Sequence, residues 1–256
     1  YQNHVTGQMI VDAIGYFPER TAIIWRDQSL TYTQMGELIG KLISLFKSYG
    51  LKRGDGIAQL SSNRPETICV IFAANIMGLR YTPLHPLGSV ADHLFILKDS
   101  QVSIVIVESQ LYGERGEIFL NDVPQLKELL TYGKQSIGTD ILSQLQFLTA
   151  APLVVEAQAH DIGWIAYTGG TTGLPKGVVI SHRSLSTNIM MTLSGWELPE
   201  RPIFLAVTPV SHASGAIAPP VLVKGGTFVL AEGFTPEMFL NHVQKHKINS
   251  SFLVPT

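Results

Sequence analysis

The chain has 256 residues, of which 45% are hydrophobic and 15% charged, and it carries a formal net charge of −2. That length allows one large or two modest domains with a sizeable core, and the charge gives no electrostatic case for nucleic acid or an anionic membrane surface. One cysteine, Cys69, rules out an intrachain disulfide or a cysteine zinc site, and its apolar neighbours Ile68, Val70, Ile71 and Phe72 suit a buried, inert thiol.

Tyr1-Gln2-Asn3-His4 lacks the basic-then-apolar pattern of a signal peptide. Val5, Met9, Ile10, Ala13 and Ile14 have helical spacing, ending near Gly15 and Pro18. Thr21 to Trp25 and Leu30 to Tyr32 read as a hairpin around Asp27-Gln28-Ser29. Thr33 is the expected N-cap of a helix whose apolar positions run from Met35 to Tyr49 and which closes at Gly50. Gly56 to Leu60 is a strand, and Pro65 starts a helix apolar on nearly every side. That run, Thr67 to Met77, is the longest candidate for a membrane span and is broken by Asn75. The chain therefore reads as soluble and cytoplasmic.

Gly78 to Pro86 is a strand ending in a Pro-bracketed turn that contains His85. Ala91 to Leu97 suggests a helix and Val102 to Val107 a buried strand. The alternation predicts an α/β fold: doubly wound, mostly parallel sheets with helices on both faces. Residues 108–160 are weakly patterned. Glu117 to Tyr132 is assigned to a helix, and 133–140 and 150–161 to loop. A boundary near 155 divides the chain into expected subdomains 1–155 and 156–256, the second carrying the most distinctive stretch.

That stretch is Tyr167-Thr168-Gly169-Gly170-Thr171-Thr172-Gly173-Leu174-Pro175-Lys176-Gly177-Val178, set between strands at Ile162 to Ala166 and Val178 to Ile180. Glycines let the backbone approach an anion, hydroxyls add neutral donors, and a lysine supplies a mobile charge. By composition alone, a flexible hairpin and a phosphate loop fit equally well. The order Lys176-Gly177 followed by a strand disfavours a Walker loop, in which Gly-Lys-Ser/Thr opens a helix.

As a whole string, the stretch resembles the phosphate-binding signature of the acyl-adenylate-forming superfamily, which includes acyl-CoA synthetases, adenylation domains and luciferases. Leu30-Thr31-Tyr32, Gly78 to Pro86 and Gly225 to Leu230 also resemble segments of that family, with His85 standing where Asp or Asn is usual. His85 and His182 are read as structural residues. In the helix after the loop, from Arg183 to about Ser194, Met190, Met191 and Leu193 are expected in the core. After a strand at Ile203 to Val207, Pro209, His212 and Gly215 fall in register with the family's Pro-Leu-Phe/Tyr-His-x-x-Gly, with Ser211 replacing the aromatic residue. A lone His after a strand suits a satisfied structural group as well as a substrate contact. A helix from Pro236 to Lys247 and a strand from Ser251 to Thr256 end the sequence.

The resemblance implies activation of a carboxylic acid by ATP, with release of pyrophosphate and transfer of the acyl group to the thiol of coenzyme A. It implies that Gly169, Gly170, Thr171, Thr172 and Gly173 hold phosphates and that Lys176 neutralises the departing pyrophosphate. By the same resemblance Thr168 helps ligate Mg2+, and His212 and Gly215 border the acyl carboxylate. The Gly-Gly form at 169–170 favours a fatty acid. Aryl-acid CoA ligases, carrier-protein-loading adenylation domains and fatty acyl-AMP ligases are rivals, as is a non-catalytic nucleotide-binding module. The resemblance reaches only the front half of the family's long chain, so the 256 residues are expected to be a piece that does not turn over alone.

Overall fold

A computed structural model describes residues 4–135, 137–168 and 174–254. The chain opens with helix α1, Thr6–Tyr16, followed by the antiparallel hairpin β1, Thr21–Trp25, and β2, Gln28–Thr31. Its two-residue turn is Arg26-Asp27, one position earlier than expected, with Arg26 at φ 54°. Helix α2 spans Tyr32–Ser48. Thr31, not Thr33, caps it: the Thr31 hydroxyl accepts from Gln34 N while the Gln34 side chain accepts from Thr31 N. This reciprocal pair satisfies two end donors at once, which a lone Thr33 hydroxyl could not.

Strand β3, Gly56–Leu60, leads into helix α3, Pro65–Met77, whose end is set by Gly78 at φ 71°. Strand β4, Arg80–Pro83, helix α4, Val90–Asp99, and strand β5, Ile104–Glu108, continue the alternation. Helix α5 is Ser109–Asp122 and strand β6 is Glu128–Tyr132, so the helix expected over 117–132 ends near its middle. The reason is tertiary. Leu129 and Leu130 alternate between the two faces of a sheet in which β6 pairs along its whole length with β5. Short elements β7, Thr139–Asp140, and α6, Ile141–Leu145, follow.

Strand β8, Ile162–Thr168, pairs antiparallel with β9, Lys176–Ser181, and helix α7 spans His182–Gly195. The remaining elements are β10, Ile203–Ala206, α8, Ala213–Val223, β11, Thr227–Leu230, α9, Pro236–His246, and β12, Ser250–Ser251. Of the last strand, expected over 251–256, only Ser250–Ser251 forms; Phe252, Leu253 and Val254 are not in a strand, and Pro255 and Thr256 lie outside the described residues.

Among the described residues two sheets form, ordered β12-β10-β11-β1-β2 and β7-β6-β5-β3-β4-β8-β9. All neighbours are parallel except the hairpins β1/β2 and β8/β9. Residue 155 falls between α6 and β8, and each sheet takes strands from both sides of it.

Alternate residues of β5 show the layering. Ile104 and Ile106 join the central core with α1, α2 and α3, whereas Val105 and Val107 face α4 and α5. On the other sheet, Phe228 and Leu230 face the same central core, while Val229 faces Met238 and Phe239 of α9. The central helices are therefore sandwiched between two sheets, each covered outside by further helices. Cys69 is buried in that core, where desolvation pushes its thiol well above the usual range. Met190 and Met191 correct the expectation of core residues: α7 buries His182, Ser186, Ile189 and Thr192 and turns both methionines outward, 53% and 68% exposed.

The Tyr32 hydroxyl closes the packing of α2 on α8, shared at 2.8 Å between the carbonyls of Leu222 and Gly226. Tyr32→Phe leaves both buried acceptors without that donor. It is expected to lower unfolding free energy by about 1–3 kcal/mol, read from urea denaturation midpoints at unchanged slope.

Candidate functional site

Parallel strands deliver loops to their C-terminal edge, and in open α/β sheets ligands collect there. Asn63, just beyond β3, fixes the geometry at that edge. Its Nδ2 donates to the carbonyls of Thr208 and Ala231, both at 3.1 Å, and its Oδ1 accepts from Val210 N at 2.9 Å. One side chain of the seven-stranded sheet thereby holds the 207–212 turn that follows β10 of the five-stranded sheet. That turn carries His212.

Beneath it lies a cavity of about 360 Å³ whose lining includes Trp164, Ala166, Thr168, Ile180, His212 and Gly215. Gly215 is required by space: a Cβ there would stand 2.0 Å from the Val210 carbonyl oxygen and 3.2 Å from the Trp164 ring. Trp164 is held edge-on to Tyr81, ring centroids 5.1 Å apart, and the Tyr81 hydroxyl donates to Gln59 Oε1 at 2.9 Å. The floor of the site is thus tied to a buried polar chain inside the sheet.

Register places Lys176. Trp164, Ala166 and Thr168 lie on one face of β8, and their partners across the antiparallel pair are Ile180, Val178 and Lys176. Directly opposed residues share a face, so Lys176 enters β9 on the cavity side of the ribbon beside Thr168. Among the described residues no carboxylate pairs with Lys176. Gly169, Gly170, Thr171, Thr172 and Gly173, which join the two strands, lie outside the described residues. Thr168, His212 and Gly215 thus line one cavity, and Lys176 lies opposite Thr168 on the neighbouring strand, outside that lining.

Sequence reasoning assigned His85 to turn architecture, and it does serve the turn: its Nδ1 accepts from Leu87 N at 3.0 Å. It also lines the cavity, edge-on to His212 with ring centroids 4.4 Å apart. Burial lowers the pKa of both imidazoles, and for His212 the neighbouring His85 lowers it further. Neutral rings serve here as hydrogen-bonding groups, not as fixed charges. The bond from Leu87 N to Nδ1 places the His85 proton on Nε2. The Ser211 hydroxyl stands 3.0 Å from His212 Nδ1, so the serine at the usual aromatic position orients this ring. His182, by contrast, is fully buried and lies outside the cavity lining.

Sequence patterning also missed the apolar walls, formed by Ile71, Ile96, Leu185, Ile189 and Pro219 from four helices. Helical periodicity marks such residues only as core. Which of them border a cavity is settled by packing between elements far apart in sequence.

An apolar cavity at the C-terminal edge of a mostly parallel sheet defines an α/β domain with room for a small molecule. The profile of the AMP-binding enzyme family matches residues 12–256, and the chain belongs to that family. It is 34% identical over 258 residues to a medium/long-chain-fatty-acid–CoA ligase, FadD8, of Mycobacterium tuberculosis, covering 98% of this chain and 45% of that protein. It is 29% identical to the crotonobetaine/carnitine–CoA ligase of Salmonella typhimurium, covering 97% of this chain and 50% of that one. The fold matches a long-chain-fatty-acid–CoA ligase, FadD1, of Archaeoglobus fulgidus with a TM-score of 0.90 at 23% identity, over all of this chain and 52% of that one. The chain spans about half the length of the curated relatives it matches. No helix among the described residues is long and apolar enough to cross a membrane.

The turn bearing His85 is held from below. His93, fully buried, donates from Nε2 to the His85 carbonyl at 2.9 Å, and Arg115 donates to the Gly88 carbonyl at 2.9 Å. Burial depresses the His93 pKa to about 4 from an ordinary 6.5, and the Arg115 charge adds to the shift. Since the unfolded chain takes up this proton first, stability falls as pH drops from about 6.5 to about 4. The loss should reach about 2 kcal/mol at pH 5. In His93→Gln, whose amide can still donate to the His85 carbonyl, urea midpoints at pH 7.5 and pH 5 should lie closer together than in the wild type.

Proposed function

We propose that this chain forms the acid- and phosphate-binding part of an enzyme that condenses a carboxylic acid with ATP, releases pyrophosphate and passes the acyl group to coenzyme A. The reading is carried by Thr168 and His212 lining one apolar cavity, with Lys176 paired to Thr168 across the β8/β9 ribbon. Membership of the AMP-binding family and the likeness to named CoA ligases support it.

The step needs a carboxylate aligned with the α-phosphorus of ATP, and alignment and charge stabilisation account for most of such catalysis. The cavity receives the hydrocarbon part of the acid and excludes water from the reacting end. His212, on a turn clamped by Asn63, hydrogen-bonds the carboxylate at the rim. Gly215 clears the space beside it. Lys176 balances charge on the departing pyrophosphate, assisted by the backbone of Gly169, Gly170 and Gly173 and the hydroxyls of Thr171 and Thr172. Mg2+ prefers oxygen ligands and often takes only one or two from protein beside substrate phosphates, so the Thr168 hydroxyl suits it. The ion would neutralise charge as pyrophosphate leaves. A fatty acid is the proposed substrate class, on the apolar walls and the likeness to FadD8.

Lys176→Ala in the complete protein should slow acid-dependent ATP–pyrophosphate exchange by about 100-fold or more. Lys176 is exposed, so melting should change little. An unchanged exchange rate removes Lys176 from the mechanism. Absence of exchange with every short, long and aromatic acid, in a folded protein that binds ATP, overturns the adenylation reading.

A further inference from the structure

The β8/β9 ribbon hangs from the seven-stranded sheet by a short attachment. β9 is the edge strand, and β8 meets β4 in register at one pair, Trp164 with Tyr81, whereas β3 and β4 pair over four positions. Beyond Trp164 the two strands pair with each other, as far as Thr168 opposite Lys176. Val178 and Val179 are 49% and 60% exposed, so little packing covers β9 from outside. A two-stranded ribbon has little stability of its own in water, and its tip needs a further tie to hold one position.

Tyr167 supplies that tie. Its ring lies across the ribbon: it stands opposite Gly177 in register, and a Cβ on Gly177 would come within 3.0 Å of the ring. The ring packs on the apolar cluster that holds Ile96 and Leu97 of α4. Its hydroxyl donates at 2.5 Å to Oδ2 of Asp99, the last residue of α4. Among the described residues, Tyr167 alone in 165–168 and 174–180 makes a side-chain hydrogen bond to another element. Asp99 does nothing for α4 itself, since a carboxylate in a last helical turn opposes the helix dipole. Burial and the Asp99 carboxylate both push the Tyr167 phenol above its ordinary range, which keeps it protonated and donating. A charged acceptor makes such a bond stronger than one between neutral groups.

We infer that Tyr167 and Asp99 form a latch that positions Thr168 and Lys176, and through them the phosphates of ATP. The latch is one rung, about 3.4 Å along the strand, from the Thr168–Lys176 pair. With it open, the ribbon keeps its attachment at Trp164 and Lys176 moves with the tip. A misplacement of about 1 Å at a charge-stabilising group is enough to slow a reaction strongly. Both are positioning residues; neither touches the reacting atoms. This rests on the reading that the tip of the ribbon meets ATP, and it names two further residues on which that contact depends.

In the complete protein, Tyr167→Phe keeps the ring over Gly177 and removes the donor, and Asp99→Ala removes the acceptor from the other element. Each should lower kcat/KM for ATP in acid-dependent pyrophosphate exchange about tenfold, and the double variant should be no worse than either single one, because all three lose the same bond. The KM for the acid should change by less than about threefold, since its apolar walls lie mostly on helices. Asp99→Asn, which restores an acceptor oxygen, should recover most of the loss. Asp99 is exposed, so melting should shift little, and Asp99→Ala carries the test if Tyr167→Phe does not fold. Wild-type ATP kinetics in Asp99→Ala, losses that add in the double variant, or equal losses for ATP and acid overturn the latch. If no acid supports exchange, ATP affinity by calorimetry takes its place: about tenfold weaker binding in both single variants upholds the latch and removes the adenylation reading alone, and unchanged binding overturns the latch as well. A wild-type protein that binds no ATP overturns both.

Discussion

The amide of Asn63 is the interaction on which the rest of the site depends. The two sheets are built separately, by parallel crossovers that each need only their own hydrogen bonds. Asn63 stands at the end of β3 in one sheet and satisfies backbone groups of Thr208, Val210 and Ala231, which follow strands of the other. Hydrophobic packing of central helices against both sheets brings these edges near, but it is non-directional. Three directional bonds from a 7% exposed side chain convert that proximity into a fixed turn. His212 inherits its position from them, and so does Gly215, whose missing side chain admits the Val210 carbonyl.

A second polar centre holds the segment that carries Asn63. Arg64 bonds Glu66 at 2.8 Å, lies 3.4 Å from Glu108 and stacks over Tyr132. Glu108 in turn accepts from Ser62 N at 2.9 Å. These groups are nearly buried, and a buried ion pair gains little net stability once desolvation is counted. What they provide is direction: the 61–64 segment that positions Asn63 is gripped from both β5 and α3. His85 is treated likewise, its carbonyl held by His93 and its ring by Leu87 N. The cavity rim is thus rigid because its loops are hydrogen-bonded into the layers beneath, while the cavity itself is apolar and imposes little orientation of its own.

Much of this was legible in the sequence because strands and their crossovers leave strong local marks. The β3-α3-β4 unit could be placed from Gly56, Pro65 and Gly78, and strands β8 and β9 from the apolar runs on either side of the glycine-rich string. Where local pattern failed, a distant partner decided. Residues 128–132 read as helix until β5 offers them an edge, and Met190 and Met191 read as core because nothing in their neighbourhood shows which face of α7 is covered. The histidines show the same limit in the site. His85 and His212 are separated by 126 intervening positions and were assigned different roles, yet their rings touch. Asn75 was noted only as an interruption in an apolar run, which is all that hydropathy can say of it.

Asn75 also shows why such an interruption is informative once the fold is known. On α3 nearly every position is buried, so a polar side chain there has no solvent to turn toward. An alanine or leucine would pack the same helix without leaving an acceptor unpaired, and a helix bonds to its own carbonyls without help from an amide side chain. The oxygen of Asn75 therefore has no structural task among its described neighbours, and Thr6 beside it repeats the pattern from a different helix.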